Sequence, residues 1–440
     1  MRRLVGPLAM MVLLAGCAAS PSADPGGTSP SATGPTASAQ PSFAKAERLP
    51  EGRPFVITDD DLTIHSFHSK PQTNSTSFRM ACYPQWGQVE AVKGFYNWVP
   101  FDNIIKGQKS YGATRLLYSF CGTPEWAGEK VKDPDAEVLG PGTTAAPRRM
   151  SDFANYVRAV VQRYKGVIGT YEVWNEPSSP QFFQGTPAQM AEMTKIVRDV
   201  VHQEDPDAIV TMASVQTHRP DYTRSFVKPY LKELKKLDWP FDVYNAHFYP
   251  PGKGGPAARR AQIAKFRKTL AQYGAPKDKE LWDTEVNYYT ELTGGEPDGR
   301  ITGVRAAAWP VRTYLDGWRL GLPRNYWYFA TPTYNDFPGI QTRPGDPATR
   351  SLATFAGWVK GTRFNGCETK GPLVRCSFAT ADGARTIAWA EDPRGNDQKS
   401  VTAVLPTKGT VVVCSLPDNA CRKTTKVKVD QSPVVVAASP

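Results

Sequence analysis

Short apolar runs alternate with amphipathic segments between about residues 62 and 329. The eight runs that we interpret as strands are 62–66, 78–82, 114–120, 170–174, 209–213, 243–248, 280–284 and 326–329. The helical patterns between them include 152–164, 187–203, 222–237, 257–273 and 304–320. Alternation of strands and helices is typical of parallel βαβ units, and eight units predict a (β/α)8 (TIM) barrel over residues 46–350. The connection 67–77 is too short for a helix, so we expect an irregular barrel there.

Residues 351–440 show a different pattern, with no convincing long helix. Six strand-like runs are separated by turn signals such as Ala381-Asp382-Gly383. These runs are 373–378, 386–390, 401–405, 411–414, 426–429 and 434–437. They predict a smaller C-terminal antiparallel β-sandwich, to which residues 50–60 could add a strand.

The first 17 residues have a positive start at Arg2 and Arg3, an apolar stretch and the end Leu-Ala-Gly-Cys17. The apolar stretch is short for a membrane span, which favours a signal peptide. Its end resembles a bacterial lipobox, and this implies cleavage before Cys17 and lipidation of that residue. An ordinary secretory signal is the alternative. Residues 18–45 are rich in Ala, Ser, Pro and Thr, and we expect a disordered tether. The protein is expected outside the cytoplasm, lipid-anchored to the cell membrane of a bacterium, which the composition suggests is an actinobacterium.

Six further cysteines follow Cys17, and an even number in an exported chain suggests disulfides. Fifteen full pairings are possible. We expect Cys82–Cys121, Cys367–Cys376 and Cys414–Cys421, since the members of the last two pairs are close in sequence. The C-x-x-C spacing of zinc sites is absent, so neither a metal nor a cofactor is expected.

The formal net charge is +11, but no dense basic tract or nucleic-acid motif accompanies it. A nucleic-acid partner is therefore not expected. A basic exterior could favour anionic envelope polymers or serve solubility alone. Eleven Trp and eighteen Tyr suit sugar stacking and core packing equally, so composition does not decide between them. Oligomeric state stays open.

Barrel enzymes carry their active sites at the C-terminal ends of the strands, where this chain places polar and aromatic residues. In strand order these are Arg79, Trp126, Asn175 with Glu176, Gln216 with His218, His247 with Tyr249, Glu285 and Trp327. Two carboxyl groups that face each other across a pocket can cleave a glycosidic bond. Asp283 should alternate away from the barrel interior relative to Trp282 and Thr284.

Several motifs carry a family resemblance: TPEW, YEVWNEP, NAHFY, LWDTE, YWYF and the stretch QVEAVKGFYNW. Their order resembles clan A of the retaining glycoside hydrolases and is most similar to glycoside hydrolase family 39. The resemblance spans roughly residues 50–440 and implies a carbohydrate substrate and a double-displacement mechanism. The strand-six motif departs from the pattern, because Tyr249 runs into two prolines.

The resemblance also implies a role for each residue. Glu176 would be the acid/base and Glu285 the nucleophile, while Asn175 would bind the sugar 2-hydroxyl. His247 and Arg79 would orient or charge-stabilise the nucleophile. The remaining expected pocket residues are Tyr249, Trp126 and Trp327, the last as the floor under the sugar.

Other interpretations of the same residues stay open. Arg79 could be a structural ion-pair partner, His247 a core histidine, and Trp126 and Trp327 core aromatics. A glycan-binding lipoprotein that has lost catalysis, or a transglycosylase that uses the same site, would carry a similar sequence. The sugar and the linkage are not predicted.

Overall fold

The computed structural model describes residues 42–66, 70–250, 254–288, 300–330 and 339–438. The first ten strands in chain order are β1 (Phe55–Val56), β2 (Thr63–Ser66), β3 (Ser77–Met80), β4 (Arg115–Ser119), β5 (Thr170–Glu172), β6 (Ile209–Thr211), β7 (Val215–Gln216), β8 (Tyr244–His247), β9 (Leu281–Val286) and β10 (Asn325–Ala330). Strands β2 to β10 form one parallel sheet in the order β6-β5-β4-β3-β2-β10-β9-β8-β7. Every one of the eight predicted barrel strands is present, with bounds that shift by a few residues.

The sheet closes because β6 and β7 occupy one barrel position that is interrupted at residues 212–214. Thr211 bridges to Val243 in parallel, and β7 pairs with β8. At the other side β10 pairs with β2. The barrel fold predicted from the alternation of strands and helices is therefore confirmed.

Helices cover the outside of the barrel. Those described are α1 (Trp86–Val89), α2 (Val99–Ser110), α3 (Met150–Tyr164), α4 (Pro187–Glu204), α5 (Pro220–Tyr222), α6 (Lys228–Lys236), α7 (Pro256–Gln272), α8 (Gly303–Arg319) and α9 (Pro347–Val359). A π-helical turn, Thr223–Val227, joins α5 to α6. Helix α4 shows why a helix begins where it does: the Thr186 hydroxyl accepts from the Gln189 amide, and the Gln189 side chain accepts in return from the Thr186 amide.

Helix α9 contradicts the expectation that no long helix follows residue 350, because it crosses that position. Leu352, Phe355, Ala356 and Val359 have helical spacing, and all four are buried. The ring of Phe355 stacks on Trp318 of α8 at 5.6 Å. Residues 351–359 therefore belong to the helical layer. The apolar positions of this helix begin only near residue 350, the expected boundary between the barrel and the C-terminal part. The sequence pattern therefore did not indicate a helix there.

The remaining strands form antiparallel sheets. They are β11 (Arg363–Lys370), β12 (Leu373–Thr380), β13 (Gly383–Ala390), β14 (Ala403–Leu405), β15 (Val411–Ser415), β16 (Ala420–Thr424), β17 (Val427–Val429) and β18 (Val434–Ala438). A seven-stranded sheet has the order β1-β11-β12-β13-β18-β15-β16, while β14 and β17 form a separate pair. Buried valines from both sheets, among them Val413 and Val427, share one apolar cluster. Strands β11 and β16 were not predicted, because both are rich in polar residues.

Three cysteine pairs lie at disulfide distance: Cys82–Cys121, Cys367–Cys376 and Cys414–Cys421. These are the expected pairs. The last two join adjacent antiparallel strands, where directly opposed residues are close. Cys17 lies outside the described residues.

A buried ion-pair cluster joins the barrel helices to the segment after β13. Glu391 contacts Arg260, Arg312 and Arg319, each at 3.2 Å, and Arg260 also contacts Asp316 at 2.9 Å. Buried charges of this kind need partners, so the cluster fixes how the C-terminal sheet packs against α7 and α8. Among the residues described, no helix is both long and apolar enough to cross a membrane.

Candidate active site

Glu176 occupies a sharp turn after β5. Its φ of +46° lies in the left-handed region, which costs a non-glycine residue on the order of 1 kcal/mol. Neighbouring contacts sustain this conformation. The Glu176 amide donates to the Ser214 hydroxyl at 3.3 Å, and Asn175 bridges to Ser214 in parallel. The turn carries the Glu176 carboxyl to the C-terminal mouth of the barrel.

Strand β9 brings a second carboxyl to the same mouth. Asp283 points outward, where Arg259 of α7 binds it at 2.8 Å, and Thr284 points into the barrel, as the alternation predicts. Glu285 follows where the register between β9 and β10 shifts. It faces inward over the barrel interior instead of continuing the alternation.

The carboxyl groups of Glu176 and Glu285 face each other with His247 beside them. One ligand atom from each of these three residues lies within 4.8 Å of the other two. Such a set could hold a metal ion by distance alone. However, both oxygens of each carboxyl and both ring nitrogens of His247 already have hydrogen-bond partners in the protein. We therefore assign no metal to this cluster.

Two donors hold Glu285. Arg79 Nη1 donates to Oε2 at 2.9 Å, and the Tyr249 hydroxyl donates to Oε1 at 2.7 Å. Burial raises the pKa of Glu285, while the nearby His247 and Arg79 and the bond from Tyr249 oppose that rise. Both direct contacts stabilise an ionised Glu285.

Glu176 has weaker support for a negative charge. His247 Nδ1 lies 2.8 Å from Oε1, and Gln216 Nε2 donates to Oε2 at 2.6 Å. Burial raises the pKa of Glu176 to about 7, although Arg79 and Gln216 act in the opposite direction. The two carboxyls therefore differ in their preferred protonation state. Glu176 can hold a proton near neutral pH, whereas the contacts of Glu285 favour its ionised form.

A third carboxyl, Glu172 of β5, lies beneath this pair and is fully buried. Arg79 Nη2 donates to it, and Asn245 and Thr284 donate at 2.6 and 2.7 Å. Burial raises the pKa of Glu172, but the Arg79 charge and these bonds bring it below its ordinary value. Arg79 thus connects Glu172 to Glu285. It also donates to Asn175 Oδ1 at 2.7 Å.

The resemblance implied that His247 orients or charge-stabilises Glu285, and the His247 ring does lie within 4.8 Å of a Glu285 oxygen. The direct contacts of His247 are with other residues. Its hydrogen bonds go to Glu176 and to the Thr284 hydroxyl, at 2.8 and 3.2 Å, and not to Glu285. Burial lowers the pKa of His247, so the ring is neutral near pH 7. Its direct partner is the carboxyl of Glu176.

The residue expected to form the floor under the sugar was Trp327. It is completely buried among helix-layer residues, with its ring 6.1 Å from that of Tyr288. Alternation along β10 turns Trp327 outward and Tyr328 inward. Tyr328 is the aromatic residue that reaches the site, with its ring 5.1 Å from His65 and 6.4 Å from Tyr249. The charges of Glu285 and Glu176 add to burial in raising the pKa of Tyr328.

Trp126 lies in the loop after β4, half-buried on the rim. Its Nε1 donates to the Glu90 carbonyl at 2.8 Å, and its ring packs edge-on against Trp86 at 5.9 Å. Lys93 lies 5.6 Å from its ring centroid. None of these contacts involves Glu176 or Glu285.

Three residues of the site were missing from the predicted set: His65, Glu172 and Tyr328. Glu172 had a recognisable signal, since it is a charged residue inside an apolar strand. Gln216 was placed at the end of the fifth strand, but no role was assigned to it from the sequence. Tyr328 was hidden because all four residues of YWYF are aromatic, and only the strand register identifies the one that reaches the site.

Fold and site together define a (β/α)8 barrel with two facing carboxyl groups, one after the fourth barrel strand and one at the end of the seventh. The sequence matches no protein-family model, and no curated protein matches it either.

Solved structures do match the fold. A family 39 glycoside hydrolase from Bacteroides cellulosilyticus WH2 has a TM-score of 0.62 at 17% identity, covering 88% of this chain and 82% of that one. A monomeric β-xylosidase from Caulobacter crescentus CB15 has a TM-score of 0.61 at 15% identity, and the match covers 88% of this chain and 97% of that one. A glucosidase from Croceicoccus marinus has a TM-score of 0.60 at 15% identity, and the match covers 90% of this chain and 97% of that one. At such identities the likeness establishes the shared fold.

Proposed function

We propose that this protein is a retaining glycoside hydrolase of clan A that cleaves O-glycosidic bonds of a poly- or oligosaccharide. The observation that carries the proposal is the facing pair Glu176 and Glu285, whose nearest oxygens lie within 4.8 Å. Retaining enzymes hold their two carboxyls about 5–5.5 Å apart, whereas inverting enzymes need about 6.5–9.5 Å to admit a water. The short separation favours double displacement.

In the first step Glu285, as a carboxylate, attacks the anomeric carbon and forms a glycosyl ester. The bond from that carbon to the leaving oxygen breaks, and the Glu176 proton passes to this oxygen. In the second step Glu176, now ionised, takes a proton from water while the water oxygen attacks the anomeric carbon. The ester breaks, and Glu285 returns to its carboxylate form.

The environments of the two residues support these roles. Arg79 and Tyr249 stabilise charge on Glu285, and burial gives Glu176 a pKa of about 7. Asn175 accepts from Arg79 through Oδ1, which leaves its amide N–H groups for a sugar hydroxyl. The structural neighbours that are named as a β-xylosidase and a glucosidase support a carbohydrate substrate.

Trapping with activated 2-deoxy-2-fluoroglycosides tests the proposal. We expect intact-mass spectra to show one added glycosyl group, and peptide mapping to place it on Glu285. Glu285→Gln should prevent labelling and reduce turnover by at least about 10⁴-fold. The matched control is Glu280→Gln, the same substitution at an exposed residue just before β9.

Full activity in Glu285→Gln, or a label on another residue, would refute the nucleophile assignment. Glycan binding without labelling or turnover across a panel of xylans, arabinans and envelope arabinogalactan would instead favour a binding protein. Product analysis at high acceptor concentration distinguishes hydrolysis from transglycosylation.

We further propose that the protein is held outside the cell membrane through a lipid on Cys17. The lipobox-like end of the first 17 residues and the Ala/Ser/Pro/Thr-rich stretch after it support this location. In the native host, labelled palmitate should enter the wild type and not Cys17→Ser. Equal labelling of both would contradict the anchor.

A further inference from the structure

The fully buried carboxylate of Glu172 has its hydrogen-bonding capacity taken up by donors. Ser214 donates to Oε1 at 3.1 Å, beside Arg79, and Asn245 and Thr284 donate to Oε2 at 2.6 and 2.7 Å. The arginine and the three neutral donors keep this group ionised. A buried carboxylate of this kind can only accept hydrogen bonds, so it dictates which way its neighbours point.

Thr284 has one hydroxyl proton and two acceptors near it. Glu172 Oε2 lies 2.7 Å away and Asn245 Oδ1 lies 2.8 Å away. Asn245 must turn its amide nitrogen toward Glu172, so its oxygen faces Thr284 as an acceptor. The charged Glu172 is the stronger acceptor and takes the proton, so the Thr284 hydroxyl can only accept from its remaining neighbour, His247 Nε2 at 3.2 Å.

We propose that Glu172, acting through Thr284, holds neutral His247 in the Nε2–H tautomer, so that Nδ1 accepts a hydrogen bond from the protonated carboxyl of Glu176. Nδ1 lies 2.8 Å from Glu176 Oε1, which suits this bond. Glu172 and Thr284 are positioning residues, because they act on the acid through His247. The catalytic consequence rests on the proposed function, whereas the tautomer itself does not.

The tautomer favours the proton-loaded state of Glu176. In the Nε2–H form, Nδ1 presents a lone pair to Glu176, so an ionised carboxyl there would meet an acceptor in place of a donor. The bond keeps the proton on Oε1 until a glycosidic oxygen competes for it. Gln216 still donates to Oε2, which is the carbonyl oxygen of the protonated group.

Other charged and titratable groups surround His247 and Glu176 on every side. They are His65, Arg79, Glu172, His218, Tyr249, Asp283, Glu285 and Tyr328. Arg79 opposes protonation of His247, and Glu285, Glu172 and Asp283 favour it, while burial outweighs them and keeps the ring neutral. The direction of its single N–H is then decided by the Thr284 contact.

The first experiment reads the tautomer directly. Histidine-selective ¹⁵N labelling and long-range ¹H–¹⁵N correlation spectra distinguish Nε2–H, Nδ1–H and imidazolium forms, and the His247 signals are those absent from His247→Asn. We expect Nε2–H for His247 in the wild type at pH 6. An Nδ1–H or imidazolium form would overturn the proposal, and this measurement needs neither a substrate nor a Thr284 variant.

The second experiment uses Thr284→Val, which keeps the shape and removes the hydroxyl. Without that acceptor His247 should shift toward Nδ1–H and donate to ionised Glu176, which lowers the pKa of the acid. The alkaline limb of the kcat/KM profile should then shift to lower pH by about one pH unit, because one hydrogen bond to a charged group changes a pKa by about that amount. Thr284→Ser, which retains the hydroxyl, should restore the wild-type limb and tautomer.

The two readouts separate the inference from the proposed function. If Thr284→Val changes neither the tautomer nor the limb, the inference is wrong even when Glu285→Gln is inactive. If no glycoside is turned over, the proposed function fails, and the wild-type spectrum still decides the tautomer.

Discussion

Arg79 Nη1 lies 2.9 Å from Glu285 Oε2, while the other terminal nitrogen of the same guanidinium binds Glu172. One buried cation thus forms ion pairs with two carboxylates from different strands of the barrel. Arg79 is completely buried, and the two carboxylates raise its pKa despite the opposing effect of burial. Arg79 therefore affects both the charge balance of the site and the stability of the fold.

Replacing Arg79 should damage both properties. In Arg79→Met we expect kcat/KM to fall by about 10²–10³-fold and the free energy of unfolding by about 3–5 kcal/mol, because Glu172 is left buried without its cation. Kinetics and urea unfolding measure the two losses. The double variant Arg79→Met/Glu172→Gln should regain most of the stability without the activity. If the double variant is as unstable as the single one, the unpaired charge is not the cause.

Tyr249→Phe should move the acid limb of the pH profile. Loss of the bond to Oε1 raises the pKa of Glu285, and a nucleophile that must be ionised then loses activity at a higher pH. We expect an upward shift of the acid limb of kcat/KM and a roughly 10-fold loss near pH 6. Tyr244→Phe, at the start of β8, is the matched control, since its hydroxyl donates to the Pro276 carbonyl and not to Glu285. An unshifted limb in Tyr249→Phe would contradict this role.

Glu176→Gln should stabilise the fold at alkaline pH while it removes acid catalysis. The pKa of Glu176 rises from 4.5 to about 7 on folding, so its contribution is fully present below 4.5 and is lost as pH rises toward 7. The difference corresponds to about 3 kcal/mol. The variant should therefore exceed the wild type in unfolding free energy by up to about 3 kcal/mol at pH 8, and by far less at pH 4.5. If the difference in unfolding free energy between variant and wild type is the same at both pH values, the pKa of Glu176 is not raised in the folded protein.

Trp327 and Tyr328 should behave oppositely on substitution. Trp327→Phe leaves a cavity in the helix layer, so we expect a loss of about 1–3 kcal/mol in stability with kcat/KM close to that of the wild type. Tyr328→Ala should lower kcat/KM at least about 10-fold, since its ring lies beside His65 and Tyr249. Kinetics and thermal unfolding of both variants check this, and the reverse pattern would restore Trp327 as the sugar floor.

Glu391→Ala tests the cluster between the barrel and the C-terminal sheet. Three arginines would lose a shared, buried partner, and the unfolding free energy should fall by about 3–5 kcal/mol. Glu368→Ala, which removes a partly exposed pair with Arg375, should change the thermal midpoint less. A small effect of Glu391→Ala would mean that apolar packing alone holds the sheet.

Much of this architecture was readable from the sequence. The spacing of apolar runs determined all eight barrel strands and the antiparallel character of the C-terminal part, because burial periodicity is a local property. The rule that barrel sites lie at C-terminal strand ends then selected Glu176, Glu285, Arg79, Asn175 and Tyr249, which the structure brings together.

Only the tertiary structure decided the rest. The partner of His247, the inward side of β10 and the role of Glu172 depend on register and on contacts between strands distant in sequence. A one-residue change in register reverses which side chain faces the interior. The sequence around Trp327 and Tyr328 therefore does not reveal which of the two faces inward. The sequence places two glutamates on one rim. The hydrogen bonds that favour a proton on Glu176 and a charge on Glu285 join residues on or just after five different strands, so they form only in the folded barrel.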